Sequence, residues 1–333
     1  MIASIPSPTF NSIEIGPLSL NLYGLMIALG VIAAVWLFGK RLEERGIGTR
    51  DDASSIAIWG VLAGVIGARL WHVATDYERF RNNWGEIPAI WNGGLGIPGG
   101  LLLGTAAGLY VGKRRGIPLA AGLTCAAPAI PLAQAIGRWG NYFNQELYGR
   151  PTTLPWGLEI DAQHLETGYT VGTLFHPTFL YESLWSLGLC FLLLWIDKRF
   201  RPAPGQLFVM YVIGYGVGRF WVEGLRIDPA DEVLGMRFNQ LVALIAVIAG
   251  VIGLVWMRRH PFPEPAIAGD GPGDVEPGLD EVVPDEPGLD EVVADEPGLD
   301  EVVPDEVIRD EVERDDDADP VASSDPGDDR DRD

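Results

Sequence analysis

The chain has 333 residues, 47% of them hydrophobic, with two cysteines and a formal net charge of −22. That balance excludes a disulfide-stapled secreted scaffold and leaves no basic surface for a nucleic acid. The acidity is also uneven: 28 of the 46 acidic residues and 4 of the 24 basic ones lie in 261–333, so residues 1–260, with 18 acids and 20 bases, are close to neutral.

In chain order, the first sixteen residues carry no Lys or Arg and no compact apolar stretch, so no cleaved signal peptide is expected and the first span is expected to direct insertion. Seven apolar runs follow, near 22–38, 54–74, 95–112, 119–136, 178–196, 205–223 and 238–257. Each approaches the roughly 17–25 residues that a helix needs to cross a hydrocarbon layer. Backbone groups in lipid must find partners within the segment, so each run is assigned α-helix, with Pro128 and Pro131 kinking the fourth. The expected fold is an all-α polytopic membrane protein of seven transmembrane helices.

Basic clusters follow every odd span: Lys40, Arg41, Arg45 and Arg50, then Lys113 to Arg115, then Lys198, Arg199 and Arg201, then Arg258 and Arg259. The positive-inside rule makes these ends cytoplasmic, with the N-terminus outside and the C-terminus inside. The loop at 141–177 then forms a small extracytoplasmic cap, too short for a sizeable core of its own. Beyond 260 the units EPGLDEVVPD, EPGLDEVVAD and EPGLDEVVPD repeat across 276–305 before an Asp-rich end. Their Pro, Gly and like charge predict a disordered cytoplasmic tail, and they lack the glycine turn and ligand order of a calcium loop.

Two ionic clusters close hydrophobic runs on the predicted outer side, GRWGNYFNQELYGR at 137–150 and GRFWVEGLR at 218–226. Setting Arg138, Glu146, Arg219 or Glu223 beside lipid costs about 2.5–3.5 kcal/mol each on insertion scales, so such groups face a partner, a cavity or a substrate. Arg219, Glu223 and Arg226, spaced i, i+4 and i+7, share one helical face, with Tyr211 and Tyr215 extending it inward. This spacing also suits an internal ion pair that orders the helix end. Two guanidiniums at one interface, Arg138 and Arg219, suit a phosphodiester, because each offers planar paired donors and keeps its charge. Asn141, Asn144, Glu146 and Arg150 add polar groups in the loop.

The glycines of WNGGLGIPGGLLLG are mainly read as helix-packing positions, and the doubled pair Gly99 and Gly100 as a place that admits a lipid head group. His72 and His176 belong to no metal-spaced pair, so structural hydrogen bonds are expected of them, and no metal or cofactor is expected. A lipid transporter is the competing class and a membrane assembly scaffold the third. Both clusters lie on one side and no two-half repeat is visible, which counts against a transporter.

With GARLWHV at 67–73, WNGGL at 91–95, the 137–150 stretch, HPTFLYE at 176–182 and GRFWVEGLR, the chain from about Leu20 to Arg259 resembles the bacterial prolipoprotein diacylglyceryl transferases. The resemblance implies an enzyme of the bacterial cytoplasmic membrane with its active site toward the outer face. It would move the diacylglyceryl group of phosphatidylglycerol to the lipobox cysteine of a prolipoprotein signal peptide, among membrane lipids and without metal or nucleotide. Carried over position by position, Arg138 matches the arginine that binds the lipid phosphate and Arg219 the arginine essential to transfer. Tyr23, Asn141, Glu146, Glu223 and Arg226 match further family positions. Arg138 and Arg219 are expected to clamp the phosphate, oriented by Glu146 and Glu223, with Tyr23 and Asn141 as neutral hydrogen-bonding groups. Where many members have Phe-His-Gly-Gly, this chain has Ile97, Pro98, Gly99 and Gly100. The thiol base is therefore left among Glu146, Glu223 and Tyr23.

Overall fold

A computed structural model describes residues 4–263 apart from 17, 82, 91 and 92. The acidic repeats lie outside the described residues. A short hairpin of β1 (Ser12–Ile15) and β2 (Leu18–Asn21) leads directly into α1 (Leu22–Glu44). Asn21 caps α1, its side chain accepting from the Tyr23 N–H at 2.7 Å. Then come α2 (Arg50–Thr75), the short α3 (Tyr77–Phe80), α4 (Ile97–Arg114), α5 (Leu119–Ala126), α6 (Ala129–Phe143), α7 (Thr178–Phe200) and α8 (Gln206–Glu223). A two-residue hairpin, β3 (Glu232–Val233) and β4 (Met236–Arg237), precedes α9 (Phe238–Arg259).

All seven predicted spans are helical, and five stretches are long and apolar enough to cross a membrane: α1, α2, Leu119–Phe143, α7 and α9. The remaining two, α4 and α8, have 18 residues each and fall outside those five, being rich in glycine and closed by charged ends. The fourth span is broken as its prolines require. Helix α5 stops at Ala126, and α6 restarts after Pro128 with Pro131 in its first turn, where a missing N–H removes no helical bond.

Helix α2 lies against α4, α1 against α6, α6 against α7 and α8 against α9. Glycine makes the α2–α4 seam close. A Cβ at Gly67 would sit 2.3 Å from the Gly99 carbonyl oxygen, and one at Gly99 would sit 2.2 Å from that of Gly67. Where α1 ends, the buried Arg41 donates to the carbonyls of Cys125 and Thr124 at 3.1 and 3.2 Å and to Asp197 of α7 at 2.9 Å. This cation, read from sequence as a topology signal, ties three helices together.

Residues 144–177 form a cap around Tyr148, Leu158, Ile160 and Phe175, packed on Phe179 of α7. Bridges join Pro151 to Phe175 and Leu158 to both Phe175 and Ile5, so the segment around Ile5 is stitched to the cap.

Candidate active site

Residues from three helices meet around one carboxylate. Glu182 stands one turn into α7, and its start is fixed by Thr178, whose hydroxyl donates to the Leu147 carbonyl of the cap. Ser183 anchors the same turn to α6 by donating to Ala135 O at 2.8 Å. Glu182 is buried, with one oxygen paired to Arg138 Nε of α6 and the other 3.4 Å from Arg219 Nη1 of α8. The two guanidiniums are one carboxylate apart.

On α8, Arg219 Nη2 also lies 2.9 Å from Glu223 Oε2. Glu223 is fully buried and receives, besides Arg219, Arg226 at 3.4 Å, Arg237 of β4 at 2.9 Å and the Asn239 amide at 3.3 Å. Asp228 accepts from Arg226 at 2.7 and 3.0 Å and from Arg237 at 2.9 Å. Burial pushes the Asp228 carboxyl up, but Arg226 and Arg237 outweigh it and hold the group below the usual carboxylate range. Four guanidiniums thus meet three carboxylates, leaving one positive charge unmatched in the network.

The two ionic motifs of the sequence are physically joined. Gly149 pairs with Arg226 in an antiparallel bridge, and Arg150 donates its N–H to Leu225 O and its guanidinium to Gly224 O, both at 2.8 Å. Between Arg138 and this stitch, α6 ends in a reversal: Gln145 N–H bonds Tyr142 O at 3.1 Å and Glu146 N–H bonds Asn141 O at 3.1 Å. That pattern calls for a left-handed residue, usually glycine, at the position of Gln145, which adopts φ 51°. The side chain of Gln145 offsets the cost by donating to Asp161 Oδ2 at 2.7 Å and accepting from Asp161 N–H at 2.8 Å. The reversal folds Glu146 back over α6, where Asn141 Nδ2 donates to Glu146 Oε1 at 2.7 Å. Asn141 in turn accepts from Arg138 Nη1 at 3.4 Å.

Tyr23 closes the arrangement from α1. Its ring lies on Gly140, where a Cβ would stand 2.6 Å from Tyr23 Cδ2, and it is within electrostatic reach of Glu146 and Arg138. Below Arg219 a cavity of about 10 Å³, room for roughly one water, is bounded by Glu182, Ser186, Tyr215 and Gly218.

A family profile, Prolipoprotein diacylglyceryl transferase, matches residues 11–256. The chain belongs to this family. It is 46% identical over 257 residues to the phosphatidylglycerol–prolipoprotein diacylglyceryl transferase of Streptomyces griseus subsp. griseus, covering 76% of this chain and 78% of that one. It is 48% identical over 265 residues to transferase 2 of Streptomyces coelicolor, covering 78% and 83%. With the Cutibacterium acnes transferase it shares 46% over 260 residues, covering 77% and 88%.

In this diacylglyceryl transferase fold the structure brings Arg138, Asn141, Glu146, Arg219 and Glu223 together, with Tyr23 beside them, and it departs from the sequence reading in detail. Glu146 does not orient Arg138 directly; it reaches that guanidinium through Asn141. Arg226 lies past the end of α8, in the turn after Gly224, and Glu223 and Asp228 take its donors, so its contacts are internal to the protein. Gly99 and Gly100 face Gly67, Gly64 and Ala68 of α2, in the helix seam. Asn144 closes α6 through its backbone, its N–H bonding Gly140 O at 3.0 Å.

Three charged members of the network were not singled out from sequence: Glu182, Asp228 and Arg237. Glu182 carries the signal that exposed the others, an acid inside an apolar span within the motif HPTFLYE. Asp228 and Arg237 lie in a polar connection where charge is unremarkable. His176, expected to make a structural hydrogen bond, meets the Tyr181 hydroxyl at 3.1 Å, and burial lowers its pKa, favouring the neutral ring. His72 pairs Nδ1 with Asp76 at 3.3 Å.

Proposed function

We propose that this chain transfers the diacylglyceryl group of phosphatidylglycerol to the cysteine thiol in the lipobox of a prolipoprotein signal peptide, forming a thioether and releasing glycerol 1-phosphate. The observation that carries the site assignment is the single carboxylate of Glu182 held between Arg138 and Arg219. It keeps two planar cations on either side of one carboxylate, an arrangement that suits the oxygens of one phosphodiester. Sulfur attacks the glyceryl carbon, the C–O bond breaks, and the pair of electrons leaves on the phosphate oxygen. Arg138 and Arg219 stabilise the charge that grows there, and Glu223 fixes Arg219 from behind.

In this reading the seven helical spans, with the fourth formed by α5 and α6 together, cross the bacterial cytoplasmic membrane. The basic ends of the odd spans face the cytoplasm, and the cap and the arginine cluster face outward. Glycerol 1-phosphate then leaves to the aqueous side, and both the lipid and the thioether product stay in the bilayer.

The test is direct. Purified protein is incubated with phosphatidylglycerol vesicles and a lipobox peptide, and mass spectrometry looks for the diacylglyceryl adduct. Adduct on the cysteine, absent with a Cys→Ser peptide, is the expected result; unmodified peptide alongside an active relative as control would overturn the reading.

A further inference from the structure

We propose that Glu146 is the general base of the transfer, taking the S–H proton of the incoming cysteine. This rests on the transferase reading above and answers what the Pro98 position leaves open. A thiol of pKa about 8.5 is only a few per cent ionised at neutral pH, so attack gains from a group that accepts its proton.

The carboxylates of the site divide by what holds them. Glu182 neutralises Arg138 and Arg219, Glu223 neutralises Arg219, Arg226 and Arg237, and Asp228 neutralises Arg226 and Arg237. A proton on any of these cancels the charge that keeps the phosphate-binding guanidiniums in place. Glu146 differs. Its Oε1 accepts from the neutral Asn141 amide at 2.7 Å, and among the described residues no cation stands within 4 Å of it and Oε2 has no hydrogen-bond partner. It can take a proton without breaking an ion pair. The groups around it are Tyr23 from α1 and Arg138 from α6, with Glu182 and Arg219 beyond that guanidinium.

The backbone gives independent support. Glu146 is flanked by two non-glycine residues in the left-handed region, Gln145 at φ 51° and Leu147 at φ 60°. Conformations of this kind persist when surrounding bonds over-determine them, and they cluster at working sites. Here Gln145 is held through Asp161, and the Leu147 carbonyl by the Thr178 hydroxyl. The fold thus holds this carboxylate over Asn141 and beside the phosphate clamp.

The step balances. The S–H bond breaks and its proton goes to Glu146; the thiolate forms the C–S bond as the glyceryl C–O bond breaks, and the phosphodiester monoanion departs as a phosphomonoester dianion. The proton later returns to water.

Glu146→Gln keeps an acceptor for Asn141 and removes the negative charge together with the basicity, which is why the pH profile and the selenol are needed to separate the two. At pH 7, kcat is expected to fall about 10²- to 10³-fold, with KM for phosphatidylglycerol changed less than about threefold. The rate of this variant should then climb with pH toward about 8.5 as the thiol ionises unaided. A peptide bearing selenocysteine, already ionised at neutral pH, should recover at least about tenfold of the loss, and Glu146→Asp should recover part of it with cysteine. A profile parallel to that of the parent, with no gain from the selenol, would overturn the assignment and leave Glu146 a positioning group. Failure of the transferase reading is distinguishable, because the parent protein would then form no adduct with either peptide.

Discussion

Glu182 Oε1 lies 3.4 Å from Arg219 Nη1, and the other oxygen of the same carboxylate is paired with Arg138. The contact joins α6, α7 and α8 at one point, and it sets the separation of the two cations proposed to hold the lipid phosphate. Removing the charge of Glu182 leaves two partly buried guanidiniums without the carboxylate between them. Glu182→Gln should therefore slow transfer by about 10- to 10²-fold, the cost of misplacing reacting groups by a fraction of an ångström to an ångström. Steady-state kinetics on vesicles checks it, and a rate within twofold of the parent would show that the carboxylate does not organise the site.

Asp228 gives a pH dependence with a definite sign. Burial opposes its charge, but Arg226 and Arg237 hold its folded pKa below the unfolded value of about 3.9. A depressed carboxylate pKa contributes stability that is fully present above the unfolded value and is lost as pH falls through the folded one. The stability gap between the parent and Asp228→Asn should therefore be constant above about pH 5 and shrink as pH falls below about 4. Thermal unfolding in detergent across that range measures it; a gap that widens on acidification would contradict the assignment.

The α2–α4 seam depends on the absence of side chains. At Gly67 a Cβ would meet the Gly99 carbonyl oxygen at 2.3 Å and Leu103 Cβ at 2.6 Å, so the helices must separate to admit it. Gly67→Val should cost about 1–3 kcal/mol and lower the midpoint of thermal unfolding. A Cβ at Gly188 of α7 would meet nothing within 4 Å, and Gly188→Ala should leave the midpoint unchanged or higher. Equal effects from the two would show that the seam is not tightly packed.

The sequence discloses the helices because lipid imposes one solution on an apolar run, and Pro128 marks the break in the fourth. It also discloses which ends carry chemistry, because Arg138, Glu146, Arg219 and Glu223 are costly in that setting. What it conceals is pairing. Glu146 and Glu223 are natural partners for the arginines by proximity in the chain, yet the carboxylate that joins them comes from α7. Likewise Arg226 shares a helical face with Arg219 by spacing, but α8 stops at Glu223 and the chain turns, handing Arg226 to Asp228. Arg237 enters through a two-residue hairpin that no periodicity announces. The left-handed Gln145 is equally silent, since a glycine is what normally signals such a reversal.

The claim that Arg138 and Arg219 act on one phosphate is tested most directly by a double-substitution cycle on the transfer rate. Arg138→Lys and Arg219→Lys should each lose about 10² or more in kcat/KM while remaining folded, because an ammonium cannot reproduce the paired donors. If the two share one anion, the double variant should be within about tenfold of the worse single one, since the grip is already lost. Losses that multiply, each substitution reducing the rate by the same factor whether or not the other is present, would mean that the two guanidiniums act independently and would contradict the shared clamp.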